Sequence, residues 1–260
     1  MARRPLVTTT LYLIRHGETD WNRTKRWQGH ADVPLNERGQ QQAQLLAQYM
    51  RREGIHFDAI YSSDLTRAYQ TAWELGAALR VAVQLLPALR EIDVGTWSGL
   101  TIEQVREQYP VEVALLDEGQ DIPRGGAESL YALSKRVVDT VESLTAQHPN
   151  GMLALVMHGG PVRAFLAHAA GQSFSPHHQG PSKHIGNTSM SIVQYDGSGW
   201  KIVAANKMAH LESQIAGTDL ISAPPDEAAS PQSWVPLYLT FVTSTVSDTS
   251  WKPGYQQEDH

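Results

Sequence analysis

Two continuous apolar runs that both stop at His-Gly constrain this chain more than any other feature. The first is LYLIRHG, Leu11 to Gly17, and the second is MLALVMHGG, Met152 to Gly160. A strand that is apolar on both faces must be covered on both, which is the situation of a central strand in a parallel sheet. In such sheets ligands bind beyond the carboxyl ends of the strands. If the two strands are neighbours, His16 and His158 face each other at that end.

The segments between them alternate in the manner this requires. Thr10 to Ile14, Phe57 to Tyr61, Val81 to Leu85 and Met152 to Val156 read as strands. Asn36 is placed to cap a helix that carries Ala43, Leu46, Ala47 and Met50 at helical spacing and stops at Gly54. In SSDLTRAYQTAWELGAAL, Leu65, Ala68, Tyr69, Ala72 and Leu79 form one apolar stripe. Ser129 can cap a long helix with Leu130, Leu133, Val137, Val141 and Leu144 inward, closed by Pro149-Asn150-Gly151. Pro161 suits the first turn of the helix after the second His-Gly. Ser189 to Tyr195 and Trp200 to Ala204 flank Asp196-Gly197-Ser198-Gly199, a hairpin signal. The alternation predicts an α/β fold, a three-layer α/β/α sandwich with a mostly parallel central sheet.

That domain is expected to occupy residues 1–212, with 213–260 a C-terminal extension of unknown role. The stretch APPDEAASPQSW is linker-like, whereas VPLYLTFVTSTV, Val235 to Val246, is β-prone and uncharged. An added edge strand, an arm on a partner subunit in a homodimer, and a partly disordered tail all remain open for it.

Composition narrows the function. With 21 basic and 27 acidic residues, a net charge of −6 argues against a nucleic-acid binder. No run of about 18 apolar residues is present to span a membrane. MARRPLVTTT lacks the apolar core of a signal peptide, so a cytoplasmic location is expected. Zero cysteines remove disulfides, a thiol nucleophile and cysteine-ligated metal. Affinity for anions must be local, and Arg15, Arg23, Lys25 and Arg26 cluster after the first strand.

Those residue types suit phosphoryl transfer. A transferring phosphoryl group needs cationic and hydrogen-bond partners for three oxygens, a nucleophile on one side and a proton source on the other. His16 is the candidate nucleophile, since a neutral imidazole forms a covalent phosphoryl intermediate. Arg15 and Arg67 can clamp oxygens bidentately, and His158 adds a donor. A carboxyl of raised pKa can protonate the leaving alkoxide, and Glu91, Asp93 and Glu18 are the candidates.

RHGETDWN, WQGHADVPLNERGQQQA, SSDLTRAYQTA, LREIDVGTWSG, GGAES and MHGGPVR occur in that order. Together they resemble the histidine phosphatase superfamily, in its phosphoglycerate-mutase-like branch, over roughly residues 8–212. The resemblance implies His16 as the phosphorylated nucleophile and Arg15, Arg67 and His158 as the rest of the phosphate pocket. It assigns Asn22 and Gln28 to the phosphoryl oxygens and Glu91 to the proton donor, and leaves Glu18 a bracing role. Gly159 would let its backbone amide approach the phosphate. No metal or cofactor is implied, and the partner is a small phosphorylated metabolite. His177, His178 and His184 lack carboxylate partners at ligand spacing and read as a solvated loop. Trp21, Trp27 and Trp97 suit the site mouth or the core equally, Arg163 suits the pocket or the fold, and Asn187-Thr188-Ser189 is a glycosylation pattern without export.

The reading is therefore a metal-independent phosphatase for small phosphate monoesters. A 2,3-bisphosphoglycerate-dependent phosphoglycerate mutase is the alternative, and a non-catalytic module that binds phosphorylated ligands the more distant one. A mutase must keep water from its phosphohistidine. Only 34 residues separate Glu91 from Gly126, and TIEQVREQYP is expected to form one short helix among them, with little left for a lid.

Overall fold

The computed structural model describes residues 8–176 and 184–212. The strands are β1 (Thr9–Arg15), β2 (Ala59–Ser62), β3 (Val83–Leu85), β4 (Met152–Met157), β5 (Met190–Tyr195) and β6 (Trp200–Lys207). The α-helices are α1 (Asp20–Arg23), α2 (Glu37–Arg52), α3 (Thr66–Leu79), α4 (Ile102–Gln108), α5 (Pro110–Asp117), α6 (Leu130–Gln147), α7 (Gly159–Ala169) and α8 (Ala209–Glu212). One sheet runs β3-β2-β4-β1-β5-β6. The pairs β3–β2, β2–β4 and β4–β1 are parallel, while β5 and β6 add an antiparallel hairpin at one side.

Period-two alternation divides the core. Leu11, Leu13, Tyr61, Leu153, Leu155 and Met157 pack with Leu133, Val137 and Val141 of α6 and Val162 and Phe165 of α7. Ile14, Ile60, Ala154 and Val156 point the other way, against Leu46 and Met50 of α2 and Ala72 and Leu75 of α3. This is the three-layer sandwich expected from the two apolar runs. Each fully buried Leu or Val here contributes about 1.5–3 kcal/mol relative to exposure.

Local signals act where the sequence placed them. The Asn36 side chain accepts from the Gly39 amide at 2.8 Å to start α2, and Gly54 follows that helix at φ 65°. Ser129 accepts from the Ala132 amide at 3.2 Å at the head of α6. Asp196 accepts from the amides of Ser198 and Gly199 at 2.9 and 3.2 Å in the β5–β6 turn.

Two local expectations need correction. The buried face of α3 is Arg67, Ala68, Thr71, Ala72, Leu75 and Gly76, with Tyr69 and Leu79 only half-buried. Leu65, Ala68 and Ala72 of the expected stripe are buried and Leu79 packs against the core, and polar Arg67 and Thr71 join the buried face toward the site described below. TIEQVREQYP forms the one short helix expected of it, α4, but more follows than expected, since Pro110 ends α4 and opens α5 as its first residue. The extension 213–260, with Val235 to Val246, lies outside the described residues, as do His177 and His178. No described helix is long and apolar enough to cross a membrane.

Candidate active site

Register brings the two histidines together. Parallel pairing sets Arg15 of β1 opposite Met157 of β4, and the His16 amide donates to the Met157 carbonyl at 3.0 Å. The next residues of both strands therefore leave the sheet side by side. The His16 and His158 rings stand 5.1 Å apart between centroids at 61°. His16 borders a cavity of about 680 Å³ lined also by Arg15, Asn22, Gln28, Arg67 and Glu91, with Gly159 on its wall, while His158 beside it is wholly buried.

The tautomer of His16 follows from its one ring contact. Its Nδ1 lies 2.6 Å from the Gly17 carbonyl, which can only accept, so Nδ1 carries the proton and Nε2 keeps its lone pair. Burial lowers the His16 pKa well below the usual histidine value, and the charges of Arg67 and Arg15 lower it further. Burial does the same to His158, again with Arg67 the largest charge. His16 is thus a neutral base in an electropositive pocket.

The donors around it are held from behind and open in front. Arg67 is wholly buried and donates from its two terminal nitrogens to the carbonyls of Ala31 and Gly29 at 2.7 and 2.8 Å. Burial lowers its pKa to about 10, so it stays charged at neutral pH. Arg15 donates to the Ile185 carbonyl at 2.5 Å. The Nε atoms of both arginines and Nδ1 of His158 are buried with no hydrogen-bond partner. Unpaired buried donors are costly, and an anion in the cavity would satisfy them. The Asn22 carbonyl accepts from Thr19 and Asn187, and the Gln28 carbonyl accepts from the Thr19 hydroxyl at 3.1 Å. Both amide side chains therefore have their NH₂ groups as the donating ends.

Of the three candidate carboxylates, only Glu91 reaches the cavity. Its Oε1 accepts from the amides of Ile92 and Gly160 at 2.9 and 3.1 Å. Glu18 instead accepts from the Asn36 side chain at 3.0 Å and steadies the start of α2, the bracing role expected of it. Asp93 accepts from the Gly95 amide. A second glycine, Gly160, is required by the protein's own packing. A Cβ at Gly159 would make only ordinary contacts, the nearest at 3.7 Å to Arg15, whereas a Cβ at Gly160 would overlap Oε1 of Glu91.

Other candidates are sorted by their contacts. Lys25 and Arg26 line the cavity, while Arg23 turns outward to Asp20 at 2.9 Å. Trp27 lines the mouth and Trp97 is core. The Trp21 ring lies against Gly99, 3.3 Å from where a Cβ there would sit. His184 lines the cavity, and among the described residues no three acidic, histidine or cysteine side chains converge on a metal-sized site.

Sequence reasoning missed several supports. Asn187 donates to the His16 carbonyl at 3.0 Å and to Asn22 at 3.1 Å, so the triplet read as a glycosylation pattern holds the floor of the site. Ser63 lies 2.9 Å from Nε2 of His158, and Thr71 accepts from the Gly17 amide at 3.0 Å. The available signal was positional: Ser63 and Asn187 flank strand ends on the same side of the sheet as the histidines.

Comparison with known proteins places this geometry. The profile of the histidine phosphatase superfamily (branch 1) matches residues 11–208. Phosphoserine phosphatase 1 of Hydrogenobacter thermophilus is 37% identical over 202 residues, covering 77% of this chain and 93% of that protein. A probable phosphoglycerate mutase GpmB of Yersinia pestis is 35% identical over 210 residues, covering 78% and 94%. Among solved structures, a mutant phosphoserine phosphatase of Entamoeba histolytica in complex with phosphoserine superposes with a TM-score of 0.69 at 29% identity, covering 78% of this chain and 99% of that one.

Proposed function

Because this chain belongs to the histidine phosphatase superfamily, we propose that its site hydrolyses small phosphate monoesters through a phosphohistidine on His16. The observation that carries the reading is the state of that histidine. It is neutral, its proton is fixed on Nδ1 by the Gly17 carbonyl, and its Nε2 lone pair stands among Arg15, Arg67 and His158.

In the first step Nε2 attacks phosphorus in line. The N–P bond forms as the P–O bond to the alcohol breaks, and Glu91 gives its proton to the departing oxygen. Arg15, Arg67, His158, Asn22 and Gln28 take the equatorial oxygens, with Gly159 at the start of α7 offering an amide there. In the second step a water loses its proton to Glu91 and attacks phosphorus, and phosphate leaves as the N–P bond breaks. The positive charge that a magnesium ion supplies in other phosphoryl transfers comes here from guanidinium groups. The lack of cysteine suits a cytoplasmic setting.

A mutase is the second reading, favoured by the 35% identity to the GpmB protein and by α5, whose Leu116 and Asp117 line the cavity where little cover was expected. The greater identity to a phosphoserine phosphatase supports hydrolysis.

Brief mixing with a ³²P-labelled ester and quenching without acid should trap label on His16, because phosphohistidine is acid-labile. His16→Ala should lose both label and turnover, and a fully active His16→Ala would overturn the mechanism.

A further inference from the structure

Arg163 has a role that the reaction above does not use. It lies on α7 three residues after Gly160, hence on the same helical face, and it lines the cavity beside Glu91. Of the other cavity arginines outside the phosphoryl end, Arg124 is paired with Asp121 at 2.6 Å and Arg26 donates to the Gly99 carbonyl at 2.7 Å. Arg163 has no such pair among the described residues. Its Nε is buried without a hydrogen-bond partner, and its guanidinium lies over the Phe174 ring at 5.2 Å. A planar cation held against an aromatic face keeps its edge for a planar anion.

Position decides which anion. Arg15 and Arg67 crowd His16 at the phosphoryl end, and Gly160 holds Glu91 where the leaving oxygen would sit. Arg163 lies one helical turn beyond that point along α7, and the arginine charges that act on His16 are those of Arg67 and Arg15. Only two carboxylates line the cavity among the described residues, Glu91 and Asp117, and Asp117 is turned to Arg106 at 3.0 Å. Burial lowers the Arg163 pKa while the charge of Glu91 opposes that fall, as expected of a cation facing the cavity rather than solvent.

We propose that Arg163, stacked on Phe174, binds a carboxylate on the leaving group and so selects phosphate esters of short hydroxy or amino acids. The inference rests on the phosphatase reading and adds a specificity determinant to it. Arg163 touches the part of the substrate that departs, so it acts on discrimination between esters rather than on the phosphoryl chemistry.

The test compares two esters that differ by a carboxylate, O-phosphoserine and phosphoethanolamine, with p-nitrophenyl phosphate as the reporter of the chemistry itself. Wild type should favour phosphoserine over phosphoethanolamine in kcat/KM by about 10–100-fold, the range of a single charge-assisted hydrogen-bonded pair. Arg163→Met should collapse that ratio toward one, mainly through KM on phosphoserine, and Arg163→Lys should restore part of it. A wild-type ratio near one, or a ratio that Arg163→Met leaves intact, overturns the subsite while hydrolysis of p-nitrophenyl phosphate upholds the phosphatase. Phe174→Leu, which removes the ring beneath the guanidinium and keeps the charge, should lower the ratio part-way and serves where Arg163→Met fails to fold; an unchanged ratio there counts against the stacked subsite. No hydrolysis of any of the three esters overturns the phosphatase reading and the subsite with it.

Discussion

Gly160→Ala is the smallest change that should uncouple proton donation from the rest of the site. The backbone of Gly160 is helical, so alanine meets no conformational strain there. The added methyl would overlap Oε1 of Glu91, with Leu133 Cδ2 at 3.2 Å closing the other side. The carboxylate must retreat by about 1 Å to regain van der Waals separation, stretching its bonds from the Gly160 amide at 3.1 and 3.2 Å. Losing such a bond costs about 1.5–3 kcal/mol, and replacing glycine in a helix returns up to about 1 kcal/mol, so the fold should survive with a Tm lowered by a few degrees. Catalysis should suffer more. A misplacement of about 1 Å costs about 10²-fold, and general acid catalysis is worth about 10²–10⁴ in total. Turnover of an alkyl phosphate should therefore fall about 100-fold, and that of p-nitrophenyl phosphate, whose leaving group needs little protonation, by less than about tenfold. The assay is kcat on both esters alongside a thermal melt. Alkyl phosphate turnover within about threefold of wild type, in a folded Gly160→Ala, would falsify the assignment of Glu91 as the proton donor held by Gly160.

Glu91→Gln should show the same contrast between poor and good leaving groups more strongly, and equal losses on both would move proton donation to another group. Prolonged chelation should leave the rate unchanged and vanadate should inhibit, since five-coordinate vanadium mimics phosphorus in transfer; activity restored only by added metal would contradict the guanidinium clamp. With 3-phosphoglycerate, phosphate release without accumulation of 2-phosphoglycerate, with or without 2,3-bisphosphoglycerate, is expected, whereas efficient isomerisation would favour the mutase. Stability should fall on acidification. Burial lowers the pKa values of His16, His158 and His210, the last to about 4, so the unfolded chain binds up to three protons that the folded one refuses as pH drops through about 6.5. Stability present above that pH is lost below it at up to about 4 kcal/mol per pH unit, and urea melts at pH 7 and pH 5 that show equal stability would exclude it.

What the sequence showed and what it hid divide along a physical line. Strand identity, sheet layering and the caps at Asn36 and Ser129 follow from local periodicity and short-range hydrogen bonds, which a linear reading can see. So does the pairing of the histidines, because one register fixes both once β1 and β4 are neighbours. The support at Asn187 was hidden because its partners are 171 and 165 residues away, and no spacing along the chain encodes them. The glycine at 160 was hidden for a similar reason, since its need arises from the Glu91 carboxylate and not from its own backbone angle. Arg67 shows the converse. On pattern alone it is a solvated residue in a helix's first turn; its guanidinium chemistry made it a candidate clamp and the family resemblance assigned it to the phosphate, yet it has no exposed surface. Its buried charge is answered by two carbonyls behind it and by no carboxylate ion pair among the described residues. The charges of Glu91 and Asp32 act on it only from a distance, and burying a guanidinium without a direct ion pair costs several kcal/mol. That deficit, shared with the unpartnered Nε of Arg15 and Nδ1 of His158, is the strongest physical reason to read the cavity as shaped for an anion that arrives from outside.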